Sequence, residues 1–193
     1  MITIMPYQSN WPTEFVRIGG GLREALGDLA LRIDHIGSTA VPGLAAKDVI
    51  DVQVTARSLD PAIEEALRGI GYLRLEHITG DHVPPGHADD ASQWTKWFFK
   101  GPATERSINL HVRLTGRPNQ RYALLFRDYL RAHPPIAVGY AQIKLAMVTH
   151  GIGDQDAYYD IKDPVCDIII AGAEAWATGT GWTAGQSDCG LTP

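Results

Sequence analysis

One stretch constrains this chain more than any other: HIGSTAVPGLAAKDVIDVQV, from His35 to Val54. A strand-like run ends at Ile36, Gly37-Ser38 interrupts it, and a second run alternates Ile50, Val52 and Val54 with Asp51, Gln53 and Thr55. Period-two alternation marks strands with one buried face. The stretch therefore predicts strand, turn, strand, with Asp51 on the face opposite Ile50 and Val52. Glycine at 37 lets the backbone approach a ligand with no Cβ in the way. Ser38 and Thr39 add hydroxyls, and the amides after them can open a short helix whose start favours an anion. Lys47 adds positive charge just before the second strand. This arrangement can set a phosphate-binding turn beside a carboxylate able to hold a divalent ion, because hard cations take oxygen ligands and share phosphate oxygens. The same spacing also suits a plain tight turn joining two strands, with Asp51 at a sheet edge.

Around that stretch the chain alternates helix and strand signals. Asn10 or Ser9 can cap a first helix with Pro12 in its first turn, and Trp11, Phe15, Ile18, Leu22 and Leu26 give it one apolar face. Asp60-Pro61 opens a second helix through about Arg68, stopped at Gly71. Leu29, Leu31 and Ile33 alternate as a strand, and Tyr72, Trp94 to Lys100 and Ile108 to Leu114 complete a sheet. Three helices follow. Tyr122 to Leu130 carries one apolar stripe, Ile136 to Met147 another, and Ile161 to Trp176 a third that Asp163-Pro164 restarts or kinks. Helix, strands around one helix, then helices imply an α+β fold with a mixed sheet and helices packed on it.

Length and charge narrow the classes. The 193 residues suit one domain, here 1–177, and 178–193 is Gly-, Ser- and Thr-rich with no core-forming period, so it is expected to be a flexible tail. Seventeen basic against twenty-two acidic residues give a net charge of −5, which disfavours broad nucleic-acid or membrane-surface binding but leaves room for a local basic pocket. Cys166 and Cys189 are too few for a disulfide framework, and free thiols suit a reducing cytosol. No apolar run reaches about eighteen residues, and the start lacks a basic segment followed by an apolar one, so a cytoplasmic protein without a membrane span is expected.

Several residues then resolve into two readings each. His35 is either a hydrogen-bonded core residue or a pocket-shaping one. His111 sits in a strand expected beside that of Asp51, where a ligand or acid–base role is open. Lys100 ends an aromatic strand, as a snorkelling lysine or as part of a positive pocket with Lys47, Arg127 and Lys144. Asp128 reads as a structural ion-pair partner. His77, His82 and His87 stand five apart in a long loop from Ile78 to Ser92 and its edge, which is not the spacing of a helical metal site. Tyr158, Tyr159 and Lys162 are either core or a surface that stacks on a base or ribose.

The chain is similar to the GrpB-like family of the nucleotidyltransferase superfamily. The likeness rests on Tyr7 with Trp11-Pro12 and Phe15, on the run from His35 to Leu44, on Ala46-Lys47 with Ile50-Asp51, and on Gly71-Tyr72, Phe99-Lys100, His111-Val112, Phe126 to Leu130, and Tyr140 with Lys144. It extends from about Tyr7 to Trp176. The resemblance implies a nucleotidyltransferase-like mixed sheet, and a protein that binds a nucleotide or another phosphorylated small molecule and transfers a nucleotidyl group with a divalent metal. Gly37 and Ser38 match the family turn and, with Thr39, Lys47, Lys100 and Lys144, would hold the phosphates. Asp51 matches the first of the metal-holding acids. Gln53 stands where the second belongs, and Asn109 and His111 stand where a third is expected. Asp51 with His111 would then hold one ion, Mg²⁺ or Mn²⁺, with Zn²⁺ open because imidazole suits transition metals. Similar domains joined to a CoA-biosynthesis kinase imply the alternative, a non-catalytic ligand-binding or auxiliary module. Oligomeric state is not legible in these residues.

Overall fold

Strand alternation sorts the molecule into an apolar side and a polar side. The structure is a computed structural model that describes residues 2–103 and 106–189. Its sheet has five strands: β1 (Arg32–Ile36), β2 (Ile50–Ala56), β3 (Leu73–Arg74), β4 (Lys96–Lys100) and β5 (Ile108–Leu114). Their spatial order is β1-β2-β5-β4-β3, with β2 and β5 parallel and every other pair antiparallel. One face presents Ile33, Val52, Val54, Phe99, Leu110 and Val112, all essentially inaccessible to solvent. Helices α1 (Trp11–Leu26) and α2 (Pro61–Gly69) close that face with Trp11, Phe15, Leu22, Ile63 and Leu67. Both helices begin with proline near their first residue, where a missing amide proton costs nothing. Asp60 caps α2 through its side chain. Asn10 does not cap α1 that way; its amide donates to Glu14 instead.

The opposite face is polar. Register places Asp51 beside Asn109, Gln53 beside His111, Phe98 beside His111, and Lys96 beside Arg113. Over it lie α3 (Pro118–Ala132), α4 (Pro134–Thr149) and α5 (Gln155–Thr180). The expected α+β class, with a mixed sheet and helices packed on it, is the fold observed. Among the described residues no helix is long and apolar enough to cross a membrane.

Three local expectations differ from the structure. Helix α5 starts six residues earlier than its apolar stripe, capped by Asp154, whose carboxylate accepts from the amides of Asp156 and Ala157; it runs through Pro164 without a restart. The strand expected from Leu29 begins at Arg32, because Gly27–Leu29 forms a 3₁₀ turn. The segment expected to be a flexible tail from Thr178 is instead helical to Thr180 and then packs along the edge of β1. Ser187 Oγ accepts from Ile33 N, Asp188 Oδ2 accepts from His35 N, and Cys189 N donates to Ile33 O. Arg32 reaches the carbonyls of Gly185 and Gln186. An edge strand offers unpaired backbone groups that a polar segment can cover, and such pairing leaves no apolar period to read. Residues 190–193 of that segment lie outside the described residues.

Candidate functional site

The polar face of the sheet and the inner faces of α3, α4 and α5 enclose a cavity of about 660 Å³. The eight residues expected to hold phosphates or a metal line it: Gly37, Ser38, Thr39, Lys47, Asp51, Lys100, His111 and Lys144. The turn that opens the cavity depends on Gly37, whose φ of +70° suits glycine. A Cβ there would sit 2.5 Å from Asp51 Oδ2, so the glycine also brings the backbone against the carboxylate. Beneath the turn, on the α1 side, His35 stacks on Phe15 with ring centroids 4.7 Å apart. His35 Nε2 lies 3.0 Å from Thr39 Oγ1, which donates to Val49 O. Thr39 is therefore committed to holding the turn, and its hydroxyl is not spare for a phosphate. Residues Ser38–Ala40 make a single 3₁₀ turn, too short to act as the helix start expected there. Side chains, rather than a helix dipole, must meet an anion.

Those side chains are lysines on which the Asp51 carboxylate acts from beyond ion-pair distance. Lys144, on α4, is 2% exposed and donates to Ser38 Oγ at 3.0 Å and Ala45 O at 2.6 Å. Its ammonium also lies 4.4 Å from the Tyr140 ring centroid. Burial first, and then Lys162, push its pKa down to about 7. Lys47 stands over Tyr158 and Tyr159, 4.2 and 5.0 Å from their centroids, and its pKa is lowered by burial and Lys162. Among the described residues, neither Lys47 nor Lys144 has a carboxylate within ion-pair distance. Lys100, more exposed, donates to Asn109 Oδ1 at 2.5 Å.

Asp51 and His111 share the cavity floor. Asn109 Nδ2 donates to Asp51 Oδ1 at 2.8 Å, and His111 Nε2 is 3.9 Å from the same oxygen. Burial raises the Asp51 pKa, but His111 and Asn109 outweigh it and hold the carboxyl below its ordinary value. His111 is held down to about 4 by burial and by Arg113. Arg113 Nη2 lies 3.2 Å from His111 Nδ1. Guanidinium only donates, so this contact assigns the Nδ1 lone pair to Arg113 and the ring proton to Nε2.

That assignment tests the metal expectation. An Nε2–H imidazole has no lone pair for an ion at the Asp51 side, and the other nitrogen faces a cation. Among the described residues no three His, Cys, Asp or Glu side chains gather as a metal-holding group. The donors present, one carboxylate with a neighbouring amide, do not fit a resident divalent ion.

The deep end of the cavity was not legible as a site. Asp81, from the loop between β3 and β4, accepts from Arg113 through both oxygens at 2.8 Å, from Lys96 at 2.6 Å and from Asn119 at 3.0 Å. Burial alone would raise its pKa, but Arg113 and Lys96 hold it far below the ordinary carboxylate range. Gln53 accepts from Arg113 at 2.7 Å and donates to Gln120 O. The sequence signal was present: Lys96 and Arg113 are charges on the inward-facing positions of strands.

Other expectations divide. His77, His82, Tyr158, Tyr159 and Lys162 line the cavity. His82 meets Asp167 at 3.0 Å, and His87 packs edge-on against Trp94. Arg127 does not join the positive pocket. It pairs with Asp128 and Asp188 and donates to His35 O, and Asp128 is the structural partner expected. Trp94, Phe98, Tyr122, Phe126 and Tyr140 give the cavity an aromatic wall.

Comparison with known proteins places this geometry. A family profile described as GrpB protein matches residues 1–171. The chain is 40% identical over 195 residues to a protein named dephospho-CoA kinase from Mycolicibacterium paratuberculosis, covering 94% of this chain and 48% of that one. It is 34% identical over 181 residues to a UPF0157 protein of Halalkalibacterium halodurans, covering 90% and 83% respectively. The crystal structure of the conserved protein GrpB from Enterococcus faecalis superposes with a TM-score of 0.74 at 25% identity, over 90% of this chain and 99% of that one. The chain spans about half the length of the mycobacterial relatives it matches.

Proposed function

The chain belongs to the GrpB family, and on that premise we propose that its cavity binds a phosphorylated small molecule of nucleotide size. One observation carries the reading: Lys47 and Lys144 line the cavity at the Ser38 turn with, among the described residues, no carboxylate within ion-pair distance and Asp51 acting on both from farther off, in a chain of net charge −5. Buried positive charge is costly unless paired, and an anionic ligand supplies the missing partner. A volume of about 660 Å³ lies within the range of small-molecule sites. Ser38, Lys47 and Lys144 meet the phosphates, with Lys100 at the rim. The aromatic wall suits an apolar or ring-bearing remainder.

Nucleotidyl transfer is the catalytic form of this reading. The ionised Asp51 carboxylate is the one group of the expected acidic set that faces the cavity, and Lys47, Lys100 and Lys144 would neutralise charge on the transferring phosphorus. Any divalent ion enters with the phosphates as part of the substrate. The test is thermal stabilisation by a panel of nucleoside triphosphates, with and without Mg²⁺, Mn²⁺ or Zn²⁺, followed by assay of pyrophosphate release. Stabilisation lost in Lys47→Ala supports binding, and pyrophosphate release lost in Asp51→Asn supports transfer. No stabilisation across the panel ends the reading.

A second reading has its own support. Relatives named dephospho-CoA kinase match this chain over only 46 to 48% of their length, which suits a module that works beside a CoA-biosynthesis kinase. Stabilisation by CoA-type phosphorylated ligands without turnover favours it.

A further inference from the structure

The contact between Ser38 and Lys144 supports a chemical role beyond anion binding. Lys144 is 2% exposed, and its Nζ is fixed between Ser38 Oγ and Ala45 O. The groups around it are Asp51 from β2, Lys47 from the loop before β2, Lys162 and Cys166 from α5, and Tyr140 from its own helix. As a neutral amine, Nζ has two protons and one lone pair. With one proton donated to Ala45 O, loss of the proton that the ammonium gives Ser38 Oγ inverts that contact, and the lone pair can accept the hydroxyl proton of Ser38. A lysine desolvated beside other cations is a recognised way to obtain an amine that takes up a proton near neutrality. Ser38 itself stands on the cavity wall, on the turn that Gly37 permits.

We propose that Ser38 is a nucleophile activated by Lys144, and that it takes up a phosphorus-centred group from a phosphoric anhydride bound in the cavity. This rests on the reading of the cavity as a phosphorylated-ligand site. Ser38 Oγ attacks the phosphorus and an Oγ–P bond forms. The anhydride P–O bond breaks, and the leaving group departs with its electron pair: nucleoside diphosphate when the γ-phosphorus of a triphosphate is attacked, pyrophosphate when the α-phosphorus is. The hydroxyl proton passes to Lys144 Nζ, which remains as an ammonium beside the new phosphate ester. Lys47, which lines the same cavity, neutralises charge on the leaving group.

The experiment incubates the full chain with nucleoside triphosphates and Mg²⁺, then reads intact mass and maps the modified peptide, with thermal stabilisation by the same triphosphates measured in parallel. The expected result is an adduct on Ser38 whose mass identifies the phosphorus attacked. It forms faster as pH rises from about 6 to about 8, as a lysine base requires. It is absent in Ser38→Ala. In Lys144→Arg, which keeps the charge but offers no base near neutrality, it slows by about tenfold or more and its rise between about pH 6 and about pH 8 disappears. The pH profile needs no variant, so the test stands even if Lys144→Arg folds poorly. Stabilisation by triphosphate without a Ser38 adduct at any pH overturns the proposal and leaves the binding reading intact. Absence of both overturns the two together.

Discussion

At the deep end of the cavity, Asp81 takes hydrogen bonds from Lys96, Arg113 and Asn119, and Arg113 spends its remaining reach on Gln53 and His111. At the turn end, Lys47 and Lys144 lean on tyrosine rings, a hydroxyl and a carbonyl, with no acid in ion-pair contact among the described residues. Both ends bury cations of the same strand-and-helix scaffold. The deep end is electrically complete and serves to hold β4, β5 and the β3–β4 loop together. The turn end is incomplete until something negative arrives. Counting charges would treat the two alike; asking which charges already have partners separates structure from site.

The sharpest way to break this contrast is to remove the shared acid. Asp81→Ala strands Lys96 and Arg113 without their carboxylate, and breaking a buried pair costs about 3–5 kcal/mol. Urea denaturation should show a loss of that order. A loss under about 1 kcal/mol would mean that the deep cluster is solvated and no different from a surface pair.

Acid should act next. His35 and His111 are both held down to about 4 in the folded chain, against an ordinary value of 6.5. Between those values the unfolded chain binds protons that the folded one refuses, so stability falls as pH drops from about 6.5 to about 4 and is flat in this respect above that window, by up to about 3 kcal/mol per histidine. Denaturation midpoints across that range check the sign, and His111→Gln should flatten part of the slope.

Gly37→Ala probes the turn. The backbone there is at φ +70°, and the new methyl would meet Asp51 Oδ2. A stability loss of about 1–3 kcal/mol should accompany weakened triphosphate stabilisation. The smallest expected effect is for Gln53→Asp. Gln53 is fully buried and held by Arg113 and Gln120 O, so the new carboxylate faces Arg113, and calorimetric Mg²⁺ titration should show no gain in affinity.

The turn end was the more legible of the two because its residues sit in one short stretch. His35 to Val54 carries the glycine, the serine, Lys47 and Asp51 within twenty positions, and alternation fixed the face of Asp51. The apolar core was legible for the same reason: α1, β2 and β5 repeat their buried residues at periods of 3.6 and 2. The deep cluster joins position 81 in an irregular loop to positions 96 and 113, set side by side by the β4–β5 register, and to position 119 in α3. The edge cover on β1 was hidden differently. It binds through backbone groups, Ser187 and Asp188, so its composition resembles that of a linker. Spacing puts His111 on a strand beside that of Asp51, but its tautomer depends on Arg113 two residues on, a contact that spacing alone does not assign a role.

The central claim is that the lysines of the turn end carry positive charge that no ion-paired carboxylate among the described residues balances, and one comparison tests it most directly: calorimetric titration of a nucleoside triphosphate and of its uncharged nucleoside into the native chain and into Lys144→Met. The account predicts that the triphosphate binds the native chain more tightly than the nucleoside and that this preference collapses in Lys144→Met. Equal affinity for triphosphate and nucleoside, or an undiminished preference in Lys144→Met, would contradict it.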